Sequence, residues 1–144
     1  MAFTGNWTTN TFKTGLMNGT FNFTSGTYYM ALYTNTATLD ATTTTYTGTT
    51  GEVVASGYTA GGLTLTIAQT PTIGNQTGAA TSYISFSNAV WTSALTARGA
   101  LIYLSGSGNP AVCVLDFGSD KTSNTTFTVQ FPAVTNTSAI IRIS

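Results

Sequence analysis

The sequence predicts an all-β chain: a single-domain β-sandwich of the jelly-roll kind, with an extended N-terminal arm and one short helix. Three observations predict it. Apolar residues recur mostly with period two rather than 3.6. Thr, which is β-branched and suited to extended backbone, supplies 33 of the 144 residues. The apolar runs are short and separated by turn-forming residues at the close spacing typical of sandwiches and jelly rolls. No Pro-rich linker, charge block or fixed-period repeat divides the chain. Its length suits one domain, able to bury roughly two thirds of its unfolded surface. Residues 1–10 are read as a docking arm and residues 11–144 as the sandwich.

The arm is half polar, with Thr4, Asn6, Thr8, Thr9 and Asn10 beside Met1, Ala2, Phe3, Gly5 and Trp7. It shows neither the basic nor the apolar stretch of a secretory leader. Residues 11–19 follow as the one helical segment, with Phe12 and Leu16 four apart and Asn18-Gly19 as a stop. A helix under three turns is not stable alone, so its Phe12/Leu16 side packs on the sandwich. Residues 27–33 are continuously apolar, as expected of a strand covered on both faces. Tyr29 and Tyr33 share one of those faces and Tyr28 takes the other. The Thr-rich stretch 36–50 reads as a long surface loop or an edge strand, and 52–55 as a short strand.

Leu63, Leu65 and Ile67 alternate with Thr64 and Thr66, giving one buried and one hydroxyl face. Residues 126–131 repeat that pattern with Phe127, Val129 and Phe131 inward. Residues 83–86, 99–104, 111–115 and 139–143 complete a set of roughly eight strands. Between two of them, residues 105–110 form a hairpin loop: Gly and Asn accept positive φ there and Pro110 presets the exit. Strands 99–104 and 111–117 therefore pair antiparallel.

Composition removes several function classes. Four Lys or Arg and four Asp or Glu leave a net charge of zero. Lys13, Arg98, Lys121 and Arg142 are too scattered to neutralise phosphates, so nucleic acid is not an expected partner. The longest apolar runs fall far short of the roughly 18 to 20 residues that span a bilayer, and no membrane contact is expected. With no His, a Ser-His-Asp triad and His-ligated metals are excluded. Cys113 is unpaired in an apolar strand and reads as a buried small hydrophobe.

The remaining acid–base groups are Asp40, Glu52, Asp116 and Asp120. A pair of carboxylates is what glycoside hydrolysis needs, but four acids are readily used by turns and by the four bases, and no catalytic residue is assigned. Asp116 and Asp120 flank a Phe-Gly-Ser turn that could offer oxygens to Ca²⁺. A β-turn whose Asp accepts backbone N–H bonds is the favoured reading, since a hard cation wants six to eight oxygens. No cofactor or metal is expected. Six Asn-X-Ser/Thr sequons, at Asn6, Asn18, Asn22, Asn75, Asn124 and Asn136, follow from the Ser and Thr content. Trp91 is expected in the core. Trp7 lies in a segment too short to build a core, and Phe3, Trp7 and Phe12 are taken as the partner-binding residues.

Residues 29–34, 37–40, Tyr46, 51–53, 57–62, 90–91 and 115–118, taken in order, resemble small all-β virion proteins of tailed bacteriophages, cyanophages among them. They look like those serving as capsid decoration or cement proteins. The resemblance spans about residues 12 to 143 and brings no catalytic motif. It implies a capsid-surface component of the virion whose partners are the major capsid protein and copies of itself as a homotrimer. A tail or fibre module that binds a host receptor or glycan, using the 41–51 loop and exposed Tyr, is the rival expectation.

Overall fold

Ten strands and one helix form in the computed structural model, which describes residues 3–48, 50–74 and 80–144. The first two residues of the expected arm and the sequon at Asn75 lie outside the described residues. In chain order the elements are β1 (Trp7–Thr8), α1 (Asn10–Asn18), β2 (Tyr28–Tyr33), β3 (Leu63–Leu65), β4 (Ile67–Ile73) and β5 (Ser82–Phe86). They continue with β6 (Ala89–Trp91), β7 (Thr96–Leu104), β8 (Ala111–Thr122), β9 (Phe127–Val129) and β10 (Ile141–Ile143). All strand pairs are antiparallel and make three open sheets: β1-β8-β7-β2-β3, β10-β5-β4 and β6-β9. The chain is thus mostly β, with the one helix placed where the sequence puts it. Among the described residues no helix is long and apolar enough to cross a membrane.

The helix begins where Thr9 lends its side-chain oxygen to the Phe12 N–H at 3.1 Å, and ends at Gly19 in the left-handed conformation. The Thr9 hydroxyl in turn donates to the Ala111 carbonyl at 2.8 Å, which ties the helix start to β8. Phe12 packs edge-on against Phe21 and Phe23 at 5.0 and 5.9 Å.

The five-stranded sheet is covered on both faces, which explains why β2, β7 and the first half of β8 read as unbroken apolar runs. Tyr28, Met30, Leu32, Ala100, Ile102 and Val112 face one way, into a core shared with Phe12, Ile84, Phe86, Trp91, Phe127 and Phe131. Ala31, Tyr33, Leu101, Tyr103 and Val114 face the other, where Phe3, Ala37 and Leu39 cover them. Trp91 and Cys113 are buried as expected, and the hairpin loop carries positive φ at Gly106, Gly108 and Asn109.

Three expectations change. Residues 52–55 are not a strand: Glu52 makes a single bridge to Tyr33, the Val53 N–H reaches the Leu32 carbonyl, and the chain then turns away, leaving Val54 98% exposed. Residues 116–120 are not a free turn but a bulge inside β8. Between the rungs Gly99↔Asp116 and Ala97↔Lys121, Arg98 alone faces four residues of β8, and Gly118 takes φ 80°. The alternating stretch around Leu63, Leu65 and Ile67 is not one strand: it divides between β3 and β4, which belong to different sheets. In the N-terminal segment Trp7 and Thr8 pair with Val114 and Cys113, adding an edge strand to the large sheet.

Candidate functional site

Glu52 is the one buried carboxylate, 9% exposed, and it lies between the large sheet and the loop that covers it. Tyr46 OH donates to its Oε2 at 2.8 Å; Tyr58 OH and the Gly61 N–H donate to its Oε1 at 2.9 and 2.7 Å. Tyr58 OH also accepts from the Leu32 N–H at 2.8 Å, so the loop is bonded to the middle of β2 through one phenol. Tyr103 OH donates to the Gly61 carbonyl at 2.8 Å, and Tyr33 OH to the Thr47 carbonyl at 3.0 Å. The Gly61-Gly62 pair is needed here. Both take positive φ, and a Cβ on Gly62 would fall 1.8 Å from the Met30 carbonyl oxygen.

Around this carboxylate the rings of Tyr29, Tyr103 and Tyr46 stack, with centroids 5.8 and 4.5 Å apart. Burial, followed by the nearby Glu52 charge, pushes the Tyr33 phenol well above its ordinary value and that of Tyr103 up to about 12. Burial also raises Tyr46, with its hydrogen bond to Glu52 adding to the effect. Tyr58 is raised by burial too, against the opposing Leu32 hydrogen bond. The phenols therefore remain neutral donors at physiological pH. A carboxylate accepting two phenol bonds and one backbone N–H bond is a fixed acceptor that pins a loop.

The other acids are likewise engaged locally. Asp40 Oδ1 accepts from the Thr42 hydroxyl and N–H at 2.6 and 2.7 Å, which lowers its pKa, the hydroxyl bond contributing most. Asp116 pairs with Arg98 and Asp120 accepts from Asn35 Nδ2 at 3.0 Å. Among the described residues no group of three or more His, Cys, Asp or Glu side chains could hold a metal ion. The Cys113 thiol is pushed up to about 12 by burial.

The expected partner-binding residues separate. Phe12 is 1% exposed and belongs to the central core. Phe3 is 2% exposed, bridging Leu39 and lying against Gly99, with the Arg98 guanidinium 5.8 Å from its ring centroid. As the chain stands, neither ring is available to a partner, because each fills space that its own sheet leaves open. Trp7 is 41% exposed, with its Nε1 donating to Thr4 Oγ1 at 3.1 Å.

Glu52 was recognisable in sequence as a carboxylate but not as a centre. Its partners are drawn in from Tyr46, Tyr58 and Gly61 by loop geometry that no periodicity reports. No family model, no curated protein and no solved structure matches this chain.

Proposed function

We propose that this chain is a non-enzymatic structural protein of a phage virion, a decoration or cement protein that sits on the capsid surface and stabilises the shell. The observation that carries the reading is how the polar groups are used. In a chain with eight charged side chains, all four carboxylates are bonded to neighbouring groups in ways that fix local structure. What faces outward is mostly neutral hydroxyl and amide. Such a surface attaches through burial and backbone hydrogen bonds rather than ion pairs. The major capsid protein and further copies of the chain, as a homotrimer, are the partners in this reading.

A sandwich of jelly-roll type belongs to the same proposal. The five-stranded sheet forms one layer, and the two smaller sheets with α1 form the other. Its support is the core shared by Met30, Ile102, Phe86, Trp91 and Phe127, drawn from both sets of strands.

Quantitative mass spectrometry of purified particles tests the function. Shell-scale copy number supports it, whereas a few copies per particle overturn it in favour of a tail or fibre module. The Tyr29–Tyr103–Tyr46 stack favours that second reading, since its outer rings are half-buried and offer flat faces to a sugar. Binding of host glycan that is lost in Tyr29→Ala would establish it. Attachment to shells should persist when salt is raised from 0.1 M to about 1 M, shortening the Debye length from about 10 to about 3 Å.

A further inference from the structure

We propose that the open edge of β9 takes one more strand, an extended segment of a different polypeptide laid along the groove between β9 and β8. The proposal rests on the shell-binding reading above and names the surface and the mode of that attachment.

Only residues 123–126 separate β8 from β9, and consecutive strands joined by so short a loop ordinarily pair as a hairpin. Here they do not. β8 stays in the large sheet while β9 pairs with β6, and a groove of about 550 Å³ opens between the two. Successive residues of β9 line it, the exposed Thr128 as well as the buried Phe127 and Val129. Since successive side chains of a strand point to opposite faces, the groove looks onto the edge of β9 and not onto one face.

That edge offers backbone groups in register. The Phe131 N–H reaches Asn88 Oδ1 at 3.0 Å, on the side of β6. By the alternation of an antiparallel ladder, Phe127 and Val129 turn their N–H groups to β6 as well, and Thr128 and Gln130 turn theirs away from it. No strand among the described residues lies on that side. Alternate N–H and carbonyl groups along an open edge are what another extended backbone satisfies, as in strand addition to a sheet. Pro132, which has no N–H, ends the pairing edge.

The rest of the groove suits the side chains of such a strand. Leu115, Phe117 and Ile140 are partly buried residues packed on the central core, and the rings of Phe117 and Phe127 lie 6.2 Å apart. An apolar side chain of the inserted segment would cover them. Lys121 lines the same groove; its ammonium donates to Ser119 Oγ at 2.9 Å, and no carboxylate among the described residues pairs with it. Its complement is an acidic residue of the inserted segment. Asp40, Glu52, Asp116 and Asp120 are each already bonded to neighbours in their own chain. The segment therefore belongs to a different protein, in this reading the shell protein, and not to a second copy.

Amide exchange reads this edge directly. The probe is purified phage shells stripped of this protein, and exchange is followed on the wild-type chain alone and on the shell, with fragmentation mass spectrometry resolving single amides after quenching. In the chain alone, Thr128 and Gln130 should exchange faster than Phe127 and Val129; equal rates overturn the proposal. On the shell, the Thr128 and Gln130 amides should slow by about tenfold or more, as the new strand takes their N–H groups. Attachment that leaves both amides fast overturns the proposal and leaves the shell-binding reading standing, whereas failure to attach overturns both. Slowing of the same two amides on concentrating the protein without shells would put a second copy in the groove and overturn the choice of partner. Gln130→Pro, just past the end of β9, removes one outward N–H and no bond to β6. It should weaken attachment about tenfold in a chain that still unfolds cooperatively, and unchanged attachment overturns the proposal.

Discussion

The two faces of the five-stranded sheet are closed by different means. On one, Met30, Leu32, Ile102 and Val112 meet the smaller sheets and the helix through side chains that are nearly all apolar. On the other, the 34–62 segment lies over Ala31, Tyr33, Leu101 and Tyr103, and none of its described residues forms a strand. It is fastened by Glu52, four phenols and two glycines. The first face is stabilised by area removed from water, non-directional and spread over many contacts. The second depends on a few directional bonds to one charge, each costly to leave unmade once buried. A Thr-rich segment with little apolar surface to bury can still cover a sheet if a single carboxylate gathers its donors.

The largest expected effect lies on the apolar face. Phe86 contacts Phe23, Tyr28 and Phe131, and Phe86→Ala should cost about 3 to 5 kcal/mol in denaturant unfolding. On the polar face, Glu52→Ala leaves Tyr46, Tyr58 and the Gly61 N–H without their acceptor, and a loss on the order of 3 kcal/mol is expected. Glu52→Gln keeps one acceptor oxygen, for Tyr58 OH and the Gly61 N–H, and turns the other into an NH2 group from which Tyr46 OH must accept, so about 1 kcal/mol should go. If Glu52→Ala and Glu52→Gln unfold at the same denaturant concentration, the acceptor geometry is not what fastens the loop.

Alkali probes the burial of the second face. The Tyr103 phenol lies at about 12 in the folded chain against the ordinary 10, so the folded state holds the proton more tightly. Its contribution is fully present below pH 10 and is lost as pH rises through 12. The Tyr103 ring signal, followed by NMR, should titrate together with loss of structure over that range; a Tyr103 phenolate formed in a chain that stays folded would contradict the burial of the cluster. The smallest effect is expected at Val54, which packs against nothing on either face: Val54→Thr should change stability by less than about 0.5 kcal/mol.

The same contrast explains what was legible in the sequence. The apolar face announces itself by period, in Leu63-Leu65-Ile67 and Phe127-Val129-Phe131, and the 105–110 loop by residues that accept positive φ. Doubly covered strands show as unbroken runs, and alternation alone puts Tyr28 and Tyr29 on opposite faces. The polar face carries no such signal. Tyr46, Glu52 and Tyr58 are six residues apart, a spacing that belongs to no regular element, and they converge only because Gly51, Gly61 and Gly62 turn the chain back on β2. The β8 bulge was hidden for the same reason: a register shift depends on the partner strand, and residues 116–120 read equally well as a turn. Phe3 and Phe12 looked available because nothing in their neighbourhood reports a Gly99 socket or the Phe21–Phe23 pair.

Hydrogen exchange on the wild-type chain and on Glu52→Ala tests most directly whether one carboxylate holds the second face. The account predicts that protection falls at Thr34, Val53 and Gly62, whose N–H groups bond to Gly51, Leu32 and Thr59. The amides of β6 and β9 between Ala89 and Val129 should keep theirs. Equal loss at both sets, or no loss at either, would contradict it.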